Sequence, residues 1–458
     1  MKIFKFSCIN LWCTKNLVDT QYLLGRIFTL TETEPDYDLK YFTDAYDQDV
    51  DFVFLNTCGF LSSGRQEMMA EIEDLLAQDK KIIILWCGAQ YFQTFKEADV
   101  WKDADAKEEF KEWKAMLKNK NIMLLSWKDF DIFALKKIYD GKQKSKFGKF
   151  EFSESPRAYT NSLQWFEYLK IAEGCSTCCT FCIIPKIRWK QRSLEMAKIL
   201  NEVENMVKSG IKEIILISQD TSRYGEDLYG KPMILDLLEQ IENINWNFKY
   251  RVLYLYPDLI DLDTIARLKK FKKMVPYFDI PLQHISAGLL KKMWRKYDPS
   301  KVTEILENIR KSRKDAFIRT NFIIWFPGET EKDNQDLIDF IGKWYFDNIA
   351  LFEYHDEPLA ASSQLPNKVD WKEINKRFRK VKTVMEKVID EKNELRIAKE
   401  QKWFVVDIVE KKGEVKIIVR PWLHTPEVDP YDEIGDEEIL SKKSRIKIWD
   451  LIEYKISL

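Results

Sequence analysis

Glycine is scarce in this sequence, with 15 residues among 458, about half of the roughly 7% that is usual in proteins. Long apolar runs are missing as well, since no stretch reaches the roughly 18 residues that indicate a membrane-spanning helix. The first residues, MKIFKFSCIN, also lack the apolar stretch of a signal peptide. The sequence therefore predicts a cytoplasmic protein without a signal peptide or a transmembrane helix.

The chain has no excess of either charge sign, because 73 Lys and Arg residues face 74 Asp and Glu residues. The net charge of −1 gives the whole molecule no attraction to nucleic acid or to anionic membranes. Hydrophobic residues make up 45% and charged residues 32%, which is typical of a globular protein. The eight cysteines, in a reducing compartment, are more often metal ligands or catalytic thiols than disulfides.

Strand and helix patterns alternate along most of the chain and divide it into three regions. Residues 1–138 contain buried-strand patterns such as KIIILW (81–86), each followed by a helical pattern, which predicts an α/β domain with a parallel sheet. A polar, Lys-rich linker is predicted at 139–162. Six β/α units in 163–396 predict a partial or full (β/α) barrel with functional groups at the carboxyl ends of its strands. Short strand patterns without a helix in 402–458 predict a small antiparallel β-barrel.

A dense cysteine motif directly follows the predicted strand YLKIAEG. Cys175, Cys179 and Cys182 form C-x3-C-x2-C, a spacing that can hold three thiolates on one face of a [4Fe–4S] cube. Three ligands for four irons leave one iron open to a substrate, as in catalytic zinc sites. The alternative is a zinc knuckle with Cys178 as the fourth ligand. Adjacent Cys178 and Cys179 cannot easily both face one metal, and no histidine lies nearby, which favours the iron–sulfur interpretation.

Three other cysteines share a position relative to predicted strands. Cys13, Cys58 and Cys87 each come directly after a strand pattern and before a helical pattern. Because the carboxyl ends of parallel strands lie at one edge of a sheet, we expect the three to meet in space. They therefore predict a second metal site, whereas Cys8 lies inside a strand pattern and is expected in the core.

Taken together, these features resemble the radical S-adenosylmethionine (SAM) methylthiotransferase family over essentially the whole chain. The C-x3-C-x2-C motif with Phe181 before its last cysteine is the radical SAM signature. Further motifs resemble the RimO branch of the family: CTKNLVDTQ (13–21), NTCGF (56–60), YLKIAEGC (168–175), CIIP (182–185), SQDTS (218–222), DIPLQH (279–284) and FPGET (326–330). The sister MiaB branch differs around the first two cysteines.

The resemblance implies a fold, an activity and partners. The fold would be an N-terminal α/β methylthiotransferase domain, a central radical SAM (β/α) partial barrel and a C-terminal TRAM-like antiparallel β-barrel. RimO enzymes add a methylthio group to the β-carbon of an aspartate in ribosomal protein S12, so S12 would be the substrate and a donor such as flavodoxin or ferredoxin would supply electrons. A MiaB-like tRNA adenosine methylthiotransferase is the alternative, and only there is nucleic acid expected as a partner. A non-catalytic iron–sulfur or zinc protein is ranked third.

The resemblance also implies cofactors and site residues. The cofactors would be two [4Fe–4S] clusters and SAM, whose reductive cleavage gives a 5′-deoxyadenosyl radical that takes a hydrogen from the aspartate. The auxiliary cluster would hold the sulfur to be transferred, and a second SAM would supply the methyl group. The implied metal ligands are Cys13, Cys58 and Cys87 for the auxiliary cluster and Cys175, Cys179 and Cys182 for the SAM cluster. The candidate SAM contacts are Phe181, Gln219, Gln283, Gly328 and Glu329. No catalytic residue is predicted beyond the cluster ligands.

Four tryptophans, Trp12, Trp86, Trp189 and Trp325, stand where the family pattern has glycine. Glycine at such places allows close backbone approach or a positive φ, and an indole is hard to accommodate there. Some bacterial lineages read UGA as glycine where another code reads tryptophan. Our hypothesis is that several of these tryptophans are glycines in the organism, and genuine divergence with loss of activity is the alternative.

The C-terminal region is acidic for an RNA-binding module. Residues 402–458 hold ten Lys and Arg against twelve Asp and Glu, and six of those acids lie in DPYDEIGDEE (429–438). RNA binding normally needs surplus basic residues. We predict that this acidic stretch binds a basic protein such as S12 rather than RNA, and a solvated acidic loop is the alternative.

Overall fold

The structure is a computed structural model of the chain. It describes residues 2–11, 13–29, 37–94, 104–125, 157–159, 165–368, 371–397, 401–411, 414–426, 429, 432–434 and 451–454. Trp12 and most of the predicted linker lie outside these residues. No helix in the described ranges is long and apolar enough to cross a membrane.

The N-terminal region forms a five-stranded parallel sheet in the order β2-β1-β3-β4-β5. Its strands are β1 (Lys2–Asn10), β2 (Tyr37–Tyr41), β3 (Phe52–Asn56), β4 (Lys81–Leu85) and β5 (Ile122–Leu125). Its helices are α1 (Thr14–Phe28), α2 (Ser62–Ala77), α3 (Trp86–Thr94) and α4 (Ala104–Met116). The sequence FVFLN of β3 is buried at every position, as expected for a central strand that helices cover on both faces. The predicted parallel α/β domain is thus confirmed.

The central region forms a six-stranded parallel sheet in the order β13-β12-β11-β10-β9-β6. Its strands are β6 (Phe166–Lys170), β9 (Glu213–Ile217), β10 (Lys249–Val252), β11 (Met274–Asp279), β12 (Phe317–Ile324) and β13 (Asn348–Glu353). Its helices are α5 (Ile184–Ile187), α6 (Met196–Lys208), α7 (Glu226–Tyr229), α8 (Ile234–Asn243), α9 (Leu262–Leu268), α10 (Ala287–Lys292), α11 (Pro299–Ser312) and α12 (Glu331–Ile341). Because the two edge strands do not pair with each other, the sheet is a partial barrel and not a closed one.

Alternation along the central strands builds two hydrophobic layers. Ile214 and Leu216 pack with the surrounding helices, whereas Ile215 and Ile217 point to the opposite face of the sheet. That second layer includes Phe4 and Phe6 of the N-terminal sheet, and α1 packs against the edge strand β6. The N-terminal domain therefore packs against the open edge of the partial barrel.

A short hairpin interrupts the alternation after β6. β7 (Ala172–Glu173) and β8 (Arg192–Ser193) pair in antiparallel register and close the loop between them, which contains the dense cysteine motif. The C-terminal region follows the long helix α13 (Trp371–Ile397) and forms an antiparallel sheet in the order β16-β15-β14-β17. These strands are β14 (Gln401–Lys411), β15 (Glu414–Pro421), β16 (Asp432–Ile434) and β17 (Leu451–Tyr454).

A buried ion triad joins this C-terminal sheet to the amino ends of the central strands. Glu213, the first residue of β9, pairs with Arg251 of β10 and, at 2.7 Å, with Arg420 of β15, and all three side chains are fully buried. Trp165 packs against Phe404 beside them, with ring centroids 4.4 Å apart. The C-terminal sheet is thus attached at the end of the partial barrel opposite the cysteine loop.

Removing one partner of this triad tests its contribution to stability. Arg420→Ala should lower the free energy of unfolding by about 3 kcal/mol, because a buried carboxylate loses one of its two cations. Lys332→Ala is the control, since Lys332 pairs with Asp336 at 2.9 Å but its side chain is 84% exposed, and such pairs contribute less than about 1 kcal/mol. Urea unfolding of both variants makes the comparison, and equal losses would show that the triad does not anchor the sheet.

Candidate metal centres and cofactor site

The dense cysteine loop starts at a glycine that no other residue can replace without displacing the backbone. Gly174 has φ +78°, and a Cβ there would lie 2.5 Å from the carbonyl oxygen of Lys190 and 2.6 Å from that of Arg188. Such distances are shorter than any real contact, so Gly174 allows the two ends of the loop to pass close together. The β7–β8 hairpin is possible because of this approach.

Three of the four cysteines in the loop face inward. Cys175 and Cys179 are buried, Cys182 is partly buried and Cys178 is exposed. The Cys175 sulfur accepts a hydrogen bond from the Thr177 N–H at 3.4 Å, and the Cys182 sulfur accepts one from the Ile184 N–H at 3.4 Å. Backbone donors to sulfur are one way in which proteins tune iron–sulfur clusters. The exposed Cys178 does not fit a fourth ligand of the same metal, which counts against the zinc knuckle.

Burial favours the protonated form of the Cys175 and Cys182 thiols. It raises the pKa of Cys175 to about 11, and the nearby charges of Asp220 and Cys179 oppose ionisation further. Burial also raises the pKa of Cys182, with Cys179 and Cys175 contributing. Since thiolates are the ligands of iron, metal binding must release these protons.

A buried cation and a phenol approach the thiol of Cys179, and no sequence motif indicated either of them. The Arg295 Nη1 lies 3.8 Å from the Cys179 sulfur, and the Tyr256 hydroxyl lies 3.7 Å from it. The guanidinium lies 3.9 Å from the centroid of the Tyr256 ring and donates to the Pro281 carbonyl at 2.5 Å. Arg295 is 116 residues away from Cys179 along the chain, so only the fold brings them together.

The predicted motif SQDTS supports the cysteine loop from β9. The Asp220 carboxylate accepts a hydrogen bond from the Thr177 hydroxyl at 2.9 Å, and burial raises its pKa to about 6. Gln219 donates through Nε2 to Glu173 at 3.1 Å. Its Oε1 has no partner among the described residues, so this buried acceptor is available to a ligand.

The other candidate SAM contacts lie at two further strand ends. Gln283 follows β11 with φ +68°, and its Oε1 accepts from Asn321 Nδ2 at 2.9 Å. Phe181 packs in a small apolar cluster with Phe326 of the FPGET turn. Gly328 adopts φ +81° in that turn.

The side chain of the remaining candidate, Glu329, binds other residues of the chain. Its carboxylate accepts the Trp325 N–H at 2.5 Å and lies 3.5 Å from Arg377 of α13. Burial raises the pKa of Glu329 to about 7. These contacts hold the turn to α13.

The three N-terminal cysteines follow strands that pair in register. Asn10 of β1 is aligned with Asn56 of β3, which is aligned with Leu85 of β4. Cys13, Cys58 and Cys87 come two or three residues beyond that row, at the same edge of the sheet. The backbone is crowded there, because a Cβ on Gly59 would lie 2.3 Å from the Cys87 carbonyl oxygen.

Electrostatics show that these three thiols are neighbours. Burial raises the pKa of Cys87 to about 11; the adjacent Arg188 guanidinium opposes the shift, and the Cys58 and Cys13 sulfurs add to it. Burial likewise raises the pKa of Cys58. Within the described residues, no three His, Cys, Asp or Glu side chains lie close enough to hold a single metal ion. The ligands of a cube bind separate irons, so their sulfurs stand farther apart than the ligands of one ion.

Three of the four suspect tryptophans have a backbone conformation that favours glycine. The φ angle is +49° at Trp86, +60° at Trp189 and +70° at Trp325. A bulky residue in this region is a genuine outlier. The fourth, Trp12, lies outside the described residues.

Comparisons with known proteins agree with this arrangement. The Radical SAM superfamily model matches residues 169–341. A ribosomal protein uS12 methylthiotransferase RimO from Carboxydothermus hydrogenoformans is 33% identical over 454 residues, which cover 97% of this chain and 96% of the relative. The corresponding protein of Dictyoglomus thermophilum is 34% identical, with 99% and 97% covered.

Among solved structures, the fold is similar to the radical S-adenosylmethionine methyltransferase TsrM from Kitasatospora setae, determined with cobalamin and a [4Fe-4S] cluster bound. The TM-score is 0.51 at 11% identity, and the match covers 79% of this chain and 77% of that one. The cobalamin-dependent S-adenosylmethionine radical enzyme OxsB matches with a TM-score of 0.50 at 13% identity, over 83% of this chain and 56% of that one. At such identities the likeness shows the fold alone.

The pH dependence of stability tests the buried environment of Glu329. Between its ordinary pKa of 4.5 and the value of about 7, the folded protein holds a proton that the unfolded chain has lost, so stability falls as pH rises through this window. Glu329→Gln keeps an acceptor for the Trp325 N–H but removes the titration. As pH rises through that window, the free energy of unfolding of the variant should therefore increase relative to that of the parent by up to about 3 kcal/mol. If the free energies of unfolding of the variant and the parent differ by the same amount at every pH, the raised pKa of Glu329 is contradicted.

Proposed function

Because the chain belongs to the RimO family of ribosomal protein uS12 methylthiotransferases, we propose that it adds a methylthio group to the β-carbon of an aspartate in ribosomal protein uS12. The identity of 33% to 34% extends over almost the whole chain, so it includes both cysteine sets and the C-terminal sheet. The observation that carries the proposal is the presence of two separate cysteine triplets, each at the carboxyl edge of its own parallel sheet.

We propose one [4Fe–4S] cluster on each triplet, with SAM bound beside the cluster on Cys175, Cys179 and Cys182. When bound, these groups supply the radical and sulfur-transfer chemistry. The residues around the first triplet suit a [4Fe–4S] cluster, because backbone N–H groups already donate to the Cys175 and Cys182 sulfurs and a buried arginine lies against Cys179. The second triplet has an equivalent cation, since Arg188 donates to the Cys87 sulfur at 2.8 Å.

The chain's own residues hold and shield the reactants. Asp220 fixes the cysteine loop through Thr177, and the free Oε1 of Gln219 can accept a hydrogen bond from the SAM ammonium group. Phe181 supplies an apolar surface, and Gln283 and Gly328 present polar and backbone groups at neighbouring strand ends. Glu329 acts mainly by ordering the turn that carries Gly328.

One acid of the stretch 429–438 is buried within the protein and cannot contact uS12. Asp429 is buried and accepts hydrogen bonds from Tyr277 at 3.1 Å, from Asn348 at 2.5 Å and from the Thr425 N–H at 2.8 Å. Its charge therefore serves the packing of the C-terminal region, so Asp429 is not exposed for binding to uS12. Binding of uS12 by the remaining acids stays a prediction. Of the rest, only Asp432 and Glu433, which lie in β16, are in the described part of the chain.

The proposal keeps uS12 as substrate and a small electron-transfer protein such as flavodoxin or ferredoxin as reductant. The MiaB-like alternative, which modifies tRNA, has less support because the full-length relatives described above are named for uS12. Iron that is bound but does not support SAM cleavage would favour the third candidate, a non-catalytic iron–sulfur protein.

Cysteine variants separate the two proposed clusters. The parent should hold about eight irons per chain after anaerobic reconstitution, and a variant with Ala at any one of the six proposed ligands should hold about four. Ala at Cys175, Cys179 or Cys182 should abolish release of 5′-deoxyadenosine from SAM. Ala at Cys13, Cys58 or Cys87 should preserve that release but stop methylthiolation of uS12. The measurements are iron content, product chromatography and the mass of uS12.

The matched control is Cys178→Ala, which removes the exposed thiol of the same loop. It should retain both the iron and the SAM cleavage of the parent. Loss of a cluster in this control would overturn the ligand assignment, and simultaneous loss of both activities in the N-terminal variants would argue against separate sites.

A further inference from the structure

We infer that Arg188 is a positioning residue that couples the auxiliary cysteine site to the SAM site. It binds Cys87 on one side and Glu173, the partner of Gln219, on the other. The inference rests on the proposed function, because it takes Cys87 as a cluster ligand and Gln219 as a SAM contact.

Arg188 belongs to the SAM module but reaches into the N-terminal domain. It follows α5, six residues after Cys182, and only 3% of it is exposed. Its Nε donates to the Cys87 sulfur at 2.8 Å, although the two residues are 101 positions apart. A charged donor at this distance from a buried sulfur forms a strong hydrogen bond.

The other two nitrogens of the guanidinium bind groups near both cysteine sets. Nη1 pairs with Asp19 at 2.7 Å and with Glu173 at 3.0 Å, and Nη2 donates to Asn16. Asp19 and Asn16 lie on α1, directly after Cys13, so Arg188 is attached to two of the three auxiliary elements. The guanidinium reaches these four acceptors from three separate nitrogens in one plane, whereas lysine has a single nitrogen with three N–H donors, so lysine is not an equivalent.

Glu173 carries the connection on to the SAM side. One of its oxygens pairs with Arg188 and, at 2.6 Å, with Lys170, while the other accepts from Gln219 Nε2 at 3.1 Å. Burial disfavours the ionised form of the Glu173 carboxylate. The positive charges of Arg188 and Lys170 outweigh this effect and hold the pKa of Glu173 well below its usual range. The buried contacts Cys87–Arg188–Glu173–Gln219 thus form one continuous path.

Replacing Arg188 alone leaves a buried carboxylate without its cation, because Arg188 and Lys170 balance Asp19 and Glu173. The main test variant is therefore the double change Arg188→Met with Asp19→Asn, which removes one charge of each sign. Arg188→Lys is the second variant, since it keeps the charge but cannot make all four contacts. Both are made in the full chain.

The first readout isolates the auxiliary cluster. With Cys175, Cys179 and Cys182 all changed to Ala, only that cluster remains, and its reduction potential is measured by EPR-monitored titration. Both Arg188 variants should shift the potential to more negative values, because the hydrogen bond from Nε to the Cys87 sulfur is lost. The shift should be larger in the double variant, which also removes the positive charge beside that sulfur. The second readout, SAM affinity with all cysteines present, should weaken several-fold in the same variants.

The outcomes separate the inference from the proposed function. A cluster that still assembles in Cys87→Ala would overturn the ligand assignment itself. Loss of the auxiliary cluster in Cys87→Ala, together with an unchanged potential or an unchanged SAM affinity in the Arg188 variants, would overturn only the coupling through Arg188.

A second inference comes independently from the backbone. We propose that the natural protein has glycine at positions 294 and 344, as well as at 86, 189 and 325. Nine described residues other than glycine have a positive φ, and five of them are tryptophan, a residue type that makes up 15 of the 458 positions. The two added positions are Trp294 with φ +60° and Trp344 with φ +63°.

Both added positions lie within three residues of the end of a helix. Trp294 follows α10, which ends at Lys292, and Trp344 follows α12, which ends at Ile341. The residue after a helix commonly adopts this left-handed conformation, and it is usually glycine. Packing does not explain the indoles, because Trp294 is 58% exposed and Trp344 is 38% exposed.

The second inference is tested by reading the codons of the gene at these positions. All five positions should be UGA, and peptides of the native protein should have the mass of glycine there. Trp165 is the matched control, since it has an ordinary φ and packs against Phe404, so it should be UGG. UGG at positions 294 and 344 would overturn the proposal.

Discussion

The burial of cysteine sulfurs is the constraint on which the rest of this structure depends. Burial raises the pKa of Cys87 and of Cys175 to about 11, so a thiolate at these positions requires a compensating cation from another element. In each triplet that cation is one buried arginine: Arg188 lies against Cys87, and Arg295 lies against Cys179. The two arginines are therefore as much a part of the sites as the sulfurs.

This constraint also explains how the domains are arranged. Arg188 is in the central domain but neutralises groups of the N-terminal domain, so the two have to pack at the edge strand β6. The close backbone contacts at Gly59 and Gly174 then bring each cysteine loop next to its supporting elements. Tryptophans with positive φ at such tight places conflict with this geometry, and glycine removes the conflict.

Local pattern was enough to predict the cysteine triplets and the sheets that carry them. Strand periodicity placed Cys13, Cys58 and Cys87 at one sheet edge, and spacing alone grouped Cys175, Cys179 and Cys182. Arg188, Arg295 and Tyr256 could not be found in this way, because each meets its sulfur across 77 to 116 residues of chain. The protein partners of Asp429 and Glu329 were missed for the same reason, since they lie on distant strands and on α13. The SAM contact of Glu329 stays a prediction. The domain boundaries stay a prediction.

The mass of uS12 is the most direct test of the account. The purified enzyme, reconstituted with iron and sulfide and with glycine at positions 86, 189, 294, 325 and 344, would be incubated with uS12, SAM and a reductant. The account predicts that uS12 gains one methylthio group, on an aspartate. Unmodified uS12 together with methylthiolated tRNA in a parallel reaction would contradict it.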